Sequence, residues 1–216
     1  MRLALLSDIH GNLEALGAVV GEGHERGVDA WVCVGDIDGY GVNPRTCLHA
    51  VQELTDEVVD GNHDAAAIGQ TDLAYFNSYA RRAAEWTAEQ LYESERRYLA
   101  SLPFDLQRDH AFFVQAEPRQ PSRWGYVHDR AEAKKALEAI EQRFCFVGHS
   151  HCPVVCIERN GGMELLPKGP QAIKPLSRYL ANIGSVGQPR EGNAPTCFAL
   201  WDQTAETLEL VAAFTT

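Results

Sequence analysis

Short apolar runs alternate with amphipathic helical patterns through the first half of the chain, and this alternation constrains the fold more than any other feature. Apolar runs at 3–6, 30–34 and 58–59 predict strands. Apolar residues at helical spacing predict helices over 12–26 and 44–54. Strands that alternate with helices in this way are typical of βαβ units, so we expect a largely parallel sheet here.

The second half is rich in short strands separated by Gly and Pro. Strands are predicted at 110–114, 144–147, 154–158, 163–166, 179–182, 196–201 and 207–212. The last two are joined by a short polar turn and predict an antiparallel hairpin. We expect these strands to form a second sheet packed on the first. The predicted fold class is therefore α/β (α+β), with two packed mixed β-sheets, a β-sandwich, flanked by helices.

Two further helical segments interrupt the strands. Residues 77–100 are helical and charged, with a break at 93–94 where Ser94 can cap a second short helix. A second segment runs from Asp129 to about 142, and Glu132 completes a capping-box pattern with Asp129.

Composition excludes several classes of protein. The chain has 216 residues, 45% of them hydrophobic, and its 19 Lys and Arg against 30 Asp and Glu give a net charge of −11. Such a chain has the composition of a soluble globular protein and lacks the basic stripe that nucleic-acid binding needs, so nucleic acid is not expected as a bulk partner. No apolar run approaches the ~18 residues of a membrane span, and the apolar run before Ser7 is too short for a signal peptide. We expect a cytoplasmic protein without a membrane partner.

Four polar motifs each follow a predicted strand, which is where α/β sheets bind their ligands. They are Asp8-Ile9-His10, Gly35-Asp36, Gly61-Asn62-His63-Asp64 and Gly148-His149-Ser150-His151. Each alone could be a turn or a helix cap, but four in one chain point to a shared site. If the chain is still extended at Asp8, residues i and i+2 face the same side, so Asp8 and His10 can reach one ion; the same applies to His149 and His151. Carboxylate and imidazole without thiolate suit Mn, Fe, Zn, Co or Ni.

This series of motifs resembles the calcineurin-like metallophosphoesterase superfamily over nearly the whole chain. Residues 7–12, 34–41 and 182–190 look like the small bacterial and archaeal single-domain branch of that family. The resemblance implies one domain over residues 1–216, with a helical cap-like insertion at about 65–103.

The resemblance also implies two divalent metal ions, with manganese the first choice among Mn, Fe, Ni, Co and Zn. The first ion would be held by Asp8, His10, Asp36 and His151. The second would be held by Asp36 as a bridge, Asn62, His149 and one further histidine. His63 carries over as the general acid beside the leaving group, and we expect Asp64 to orient it.

One position departs from the family pattern. Gln115 follows the strand at 110–114, where the family has the fourth ligand of the second ion, a histidine. An amide oxygen is a weaker donor to transition metals than imidazole. The second site could therefore be weakly occupied, hold a harder ion, recruit His128 from the following loop, or be lost.

These residues predict a metal-dependent phosphoesterase that hydrolyses a small phosphate ester, of phosphodiester or nucleotide type, by metal-activated hydroxide. The alternatives are a weakly active or non-catalytic homologue with a binding or scaffold role, and a phosphoprotein phosphatase. Gln115 favours the scaffold, whereas Asn62 and His63 favour the enzyme. Asp38 and Arg190 are expected to serve in turns rather than in the site.

Overall fold

A computed structural model describes residues 1–190, 192 and 195–214. The helices found there are α1 (Leu13–Glu25), α2 (Pro44–Leu54), α3 (Asn62–Ala67), α4 (Ser78–Gln90), α5 (Glu93–Leu99) and α6 (Arg130–Glu138). The strands of the first half are β1 (Arg2–Leu6), β2 (Ala30–Cys33), β3 (Asp105–Arg108) and β4 (Ala111–Val114). Those of the second half are β5 (Phe144–Val147), β6 (Val154–Arg159), β7 (Gly162–Leu165), β8 (Gln171–Ala172), β9 (Tyr179–Asn182), β10 (Thr196–Asp202) and β11 (Thr207–Ala213).

The strands form two mixed sheets, as the sequence predicted. One sheet has the order β2-β1-β10-β11-β8, and the other has the order β3-β4-β5-β9-β6-β7. The β10–β11 hairpin is antiparallel as expected, but it lies in the sheet of the first half, because β10 pairs with β1. Its assignment to the second sheet was wrong. Local pattern shows that two strands form a hairpin but not which free sheet edge the hairpin covers.

One hydrophobic core lies between the two sheets. Leu3 and Leu5 of β1 pack there with Phe113, Phe146 and Trp201. The alternate β1 residues, Ala4 and Leu6, pack on the opposite face in a cluster with residues of α1 and α2. Helix α6 covers the outer face of the second sheet. Because both faces of β1 are covered, the strand is apolar from Leu3 to Leu6 rather than alternating.

Some local predictions need correction. The run at 58–59 forms only an isolated bridge between Val58 and Cys33. Helix α5 begins at Glu93, so Ser94 lies inside it; the Glu95 carboxylate instead accepts the Tyr92 N–H at its start. Asp129 and Glu132 form the predicted capping box. Strands β3 and β8 were not predicted, since they are short and mostly polar. Among the described residues no helix is long and apolar enough to cross a membrane.

Candidate metal centre and substrate cleft

The loops after β1 and β2 lie side by side and extend the pairing of those parallel strands. The Asp8 N–H donates to the Gly35 carbonyl at 3.1 Å, and the His10 N–H donates to the Asp36 carbonyl at 3.0 Å. The loop after β5 joins them, because the His149 N–H donates to Asp8 Oδ2 at 3.0 Å. Three of the four motifs thus meet at one end of the packed sheets.

The backbone at this end of the sheets is not extended. The left-handed region is occupied by Asp8 (φ 54°), His10 (φ 49°), Asp36 (φ 54°), His149 (φ 65°) and His151 (φ 59°). The expectation that extended chain would align residues i and i+2 was therefore wrong in its premise. The side chains of Asp8 and His10 still meet, since the loop turns within the motif. Non-glycine residues in this region are strained, and such strain clusters at functional sites.

Glycines in the motifs allow the loops to approach closely. A Cβ on Gly148 would lie 1.9 Å from Ser7 Oγ and 2.5 Å from Asp8 Oδ2. A Cβ on Gly61 would lie 2.2 Å from Asp36 Oδ1. Any side chain at either position would push apart the loops that carry Asp8 and Asp36.

Four side chains converge on one buried point. The Nε2 atoms of His10 and His151 are 3.2 Å apart, and His151 Nε2 is 3.1 Å from Asp8 Oδ1. His10 Nε2 is 3.7 Å from the same oxygen and 3.9 Å from Asp36 Oδ2. These are the four residues that the resemblance assigned to the first ion.

The second nitrogen of each ring fixes its tautomer. His10 Nδ1 lies 2.9 Å from the Asp38 carbonyl, and His151 Nδ1 lies 2.6 Å from the Gln188 carbonyl. A carbonyl can only accept, so both Nδ1 atoms carry the proton. The two Nε2 atoms, which point away from these carbonyls, lie beside each other and beside a carboxylate oxygen. This donor set fits a divalent cation, and outward donation to a carbonyl is the usual support of a ligating histidine.

Electrostatics at this point also favour a cation. Burial, followed by repulsion from Asp8 and Asp64, raises the pKa of Asp36 well above its ordinary value. Burial opposes ionisation of Asp8 as well, but His151 and His10 outweigh it and lower the pKa of that carboxyl. Burial lowers the pKa of His10 to about 3, so its ring is neutral at pH 7. A cation would stabilise the ionised form of both carboxylates.

The residues predicted for the second ion lie less close together than those predicted for the first ion. Asn62 Oδ1 is buried without a hydrogen-bond partner among the described residues, as an open ligand position would be. His149 Nε2 lies 3.0 Å from the Trp124 carbonyl. Two groups of three possible ligands occur among the described residues, with ligand atoms that all lie within 4.8 Å of one another. They are Asp8-His10-His151 and His10-Asp36-His63. His149 belongs to neither group.

His63 lies closer to the first group than the sequence suggested. Its backbone N–H donates to Asp36 Oδ1 at 2.9 Å. Its ring centroid lies 4.8 Å from that of His10 and 5.1 Å from that of Phe76. Burial and the nearby His10 lower the pKa of His63 well below its ordinary value. The Nδ1 atom of His63 is buried with no hydrogen-bond partner in the part of the chain that the structure describes.

Asp64, which we expect to orient His63, contacts the backbone of the loop after β2. Its carboxylate accepts the backbone N–H groups of Ile37 and Asp38 at 3.2 and 2.8 Å. Asp64 therefore holds the loop that carries Asp36. Its neighbour Asp38 is fully buried, and its carboxylate has no hydrogen-bond partner among the described residues.

Gln115 lies against Asp8. Its Oε1 accepts the Ser7 hydroxyl at 3.1 Å, and its Nε2 donates to Asp8 Oδ1 at 3.0 Å. Both ends of the amide are therefore engaged. His128 is exposed, and its ring stacks on Tyr126 with centroids 4.5 Å apart. The structure thus places Gln115 in the buried centre and His128 outside it.

A cleft of about 700 Å³ opens beside the centre, and its lining includes Asp36, Asn62, His63, His149 and His151. Aromatic side chains form much of its walls, namely Tyr40, Tyr75, Phe76, Trp124 and Tyr126. Arg190, which the sequence placed in a turn, also lines it. Sequence reasoning did not assign these residues to the site. Tyr40 and Arg190 lie in the segments 34–41 and 182–190 that match the family pattern, and the others lie outside every motif.

Comparison with known proteins identifies the family of the chain. The family model of the calcineurin-like phosphoesterase superfamily domain matches residues 1–206. An uncharacterized protein of Methanocaldococcus jannaschii is 35% identical over 97% of this chain and 86% of its own length. The chain belongs to the calcineurin-like metallophosphoesterase family, a class of hydrolases that act on phosphate esters.

Two solved structures extend the comparison. The metallophosphoesterase from Sphaerobacter thermophilus is 35% identical and superimposes with a TM-score of 0.84, covering 99% of this chain and 88% of that protein. A hypothetical protein from Pyrococcus horikoshii OT3 is 20% identical with a TM-score of 0.79, covering 100% of this chain and 88% of that protein. The first supports the family and the second the fold.

Proposed function

We propose that this protein hydrolyses a small phosphate ester, either a phosphodiester or a nucleotide-type ester, with the help of divalent metal ions. The observation that carries the proposal is the convergence of His10 Nε2 and His151 Nε2 on Asp8 Oδ1 at distances of 3.1–3.7 Å. Two buried imidazole nitrogens and a carboxylate oxygen that meet at one point form a donor set that suits a divalent cation. Its position beside an open cleft suits catalysis rather than structural metal binding.

Asp8, His10 and His151 would hold the first ion, and Asn62 and His149 would hold the second. Asp36 would be a ligand of both. Imidazole and oxygen donors without thiolate favour a first-row ion such as manganese. Divalent ions bound there would polarise a phosphoryl oxygen and make hydroxide available at neutral pH.

The chain's own residues supply the remaining chemistry. His63 is neutral at pH 7 because its pKa is lowered. The negative charge of a bound phosphate would favour its protonated form, so that His63 can deliver a proton to the departing oxygen. Asp64 holds the Asp36 loop through two backbone N–H groups. The Gln115 amide donates a hydrogen bond to Asp8 and holds its carboxylate in place.

The test is a panel of phosphomonoesters, phosphodiesters and dinucleoside polyphosphates, assayed with Mn-reconstituted protein. We expect hydrolysis of at least one class, and loss of at least about 100-fold in Asp36→Asn. His110→Ala serves as a matched control, because His110 is an exposed histidine at the far end of β4. Metal binding without hydrolysis of any ester would contradict the proposal and favour the scaffold role.

A further inference from the structure

The ring of His149 is held in place by one loop, residues 122–128. Its Nε2 atom lies 3.0 Å from the Trp124 carbonyl. Its ring stacks on that of Tyr126, with centroids 4.0 Å apart and planes inclined by 19°. One contact therefore fixes an edge of the imidazole ring, and the other covers one of its faces.

The Trp124 carbonyl decides which nitrogen of His149 can bind a cation. A carbonyl can only accept, so Nε2 carries the proton in the neutral ring and Nδ1 keeps a free electron pair. The backbone N–H of His149 donates to Asp8 Oδ2 at 3.0 Å, which places its main chain beside the metal centre. What remains to be set is the rotation of the ring, and the loop sets it.

Tyr126 is enclosed between two histidines. The ring of His128 stacks on it with centroids 4.5 Å apart and planes inclined by 14°. The rings of His128, Tyr126 and His149 thus form one column of stacked side chains. Rotation of the His149 ring would break its stacking on the phenol ring, so the column restrains that rotation.

Trp124 connects this loop to the cap segment, residues 65–103. Its indole Nε1 donates to Thr71 Oγ1 at 3.1 Å, and its ring lies 5.8 Å from that of Phe104. The Trp124 backbone is left-handed, with φ 54° and ψ 37°. This conformation is costly for a bulky residue and persists only where the surroundings hold it. A continuous path of contacts therefore runs from Thr71 through Trp124 to His149.

We infer that Trp124 and Tyr126 are positioning residues, which orient His149 as a ligand of the second ion, and that the Trp124–Thr71 hydrogen bond makes this orientation depend on the cap segment. The inference rests on the proposed function for the place of the second ion. Neither residue touches the ion in this role. Residues that orient a ligand from outside the metal centre change its affinity for metal, so the second ion should bind more weakly when either is altered.

The test is a calorimetric titration of metal-stripped protein with Mn, which measures both binding constants without turnover. In Tyr126→Leu the second ion should bind about 10- to 100-fold more weakly, the usual effect of losing a group that orients a ligand. The affinity for the first ion should stay the same, because Asp8, His10 and His151 have supports elsewhere. Tyr79→Leu is the matched control, since Tyr79 is 82% exposed and does not line the cleft.

Two conservative variants test the connection to the cap segment. Thr71→Val and Trp124→Phe each remove the hydrogen bond while keeping a side chain of similar shape. Each should weaken binding of the second ion by about 2- to 10-fold, the net worth of one hydrogen bond. The double variant should be no weaker than the single ones, because both changes remove the same bond. Trp86→Phe is the control, since Trp86 is 38% exposed on α4 and does not line the cleft.

Several outcomes would overturn the inference. Equal weakening of both ions in Tyr126→Leu would mean that Tyr126 only supports the fold, and an unchanged second ion would mean that it does not orient His149. Additive effects of Thr71→Val and Trp124→Phe would exclude coupling through their hydrogen bond. A wild-type protein that binds one ion would exclude His149 as a ligand, even if esters are hydrolysed. Failure of the proposed function is recognised separately, by the absence of hydrolysis across the whole ester panel.

Discussion

The side-chain amide of Gln115 donates to Asp8 Oδ1 at 3.0 Å, and the same oxygen lies 3.1 Å from His151 Nε2. Gln115 stands where the family pattern has a histidine ligand of the second ion. It contacts Asp8, which is a predicted ligand of the first ion. The bond holds Asp8 in the orientation that lets its oxygen meet the histidine nitrogens. Gln115 therefore bears on metal binding whether or not it is itself a ligand.

Gln115→Ala is expected to weaken metal binding without removing an ion. Loss of a residue that orients a ligand typically costs about 10- to 100-fold in metal affinity. The Ser7 hydroxyl loses one of its partners as well, so the free energy of unfolding should fall by about 1–2 kcal/mol. Titration of metal-stripped protein with Mn measures the affinity and the number of ions together.

His128→Ala provides the companion measurement. His128 is exposed and stacks on Tyr126, so we expect the metal count to stay the same. A count that falls by one in Gln115→Ala would instead make Gln115 a ligand of the second ion. A fall by one in His128→Ala would mean that His128 completes that site.

Bound metal should stabilise the fold. An ion present at about 100 times its dissociation constant adds about 2.7 kcal/mol, which corresponds to roughly 5–10 °C in Tm for a chain of this size. Removal of the metal with a chelator should lower Tm accordingly, and Mn should restore it. In Asp36→Asn the restoring effect should be much smaller; the same gain as in the wild-type protein would exclude Asp36 as a ligand.

His63→Ala should lower turnover by about 10²- to 10⁴-fold, the usual contribution of a general acid or base. Metal content should remain unchanged, and esters with good leaving groups should suffer less because they need less protonation. Kinetics on esters of graded leaving-group pKa, together with elemental analysis, check both points. Loss of an ion would instead mean that His63 is a ligand, consistent with its place beside His10 and Asp36.

Glu95 should stabilise the cap segment in a pH-dependent way. Burial alone would raise its pKa, but the Tyr92 N–H and Arg45 outweigh burial and lower it below the ordinary value of 4.5. A lowered folded-state pKa gives stability that is present above about pH 4.5 and is lost as the pH falls through the folded-state pKa. Glu95→Gln should therefore cost about 1–2 kcal/mol at pH 7 and less at pH 3.

Urea denaturation at both pH values measures this difference. Glu93→Gln is the control, since Glu93 is an exposed carboxylate in the same turn of α5. Arg45 is 36% exposed, so salt should reduce its share of the effect. An equal loss of stability at pH 7 and pH 3 would mean that packing, and not charge, accounts for the role of Glu95.

Much of the fold was predictable because its signals are local. Helix α2 begins at Pro44 and ends at Leu54 as predicted, and α1 begins after Asn12, whose side chain caps it. The β10–β11 hairpin follows from two apolar runs and a polar turn. Its place beside β1 was not predictable, because the choice of a sheet edge depends on contacts between the two ends of the chain.

The sequence by itself determined the family and the kind of chemistry, since both reside in short motifs whose residue types are visible without any structure. Only the tertiary structure decided how those residues meet. In the folded chain Asp8 and His10 adopt left-handed backbone conformations, and His149 lies outside both ligand groups. Tyr126 and Arg190 line the cleft. These outcomes depend on packing between segments far apart in the chain, and a local pattern carries no information about which distant backbone or side chain will lie against it.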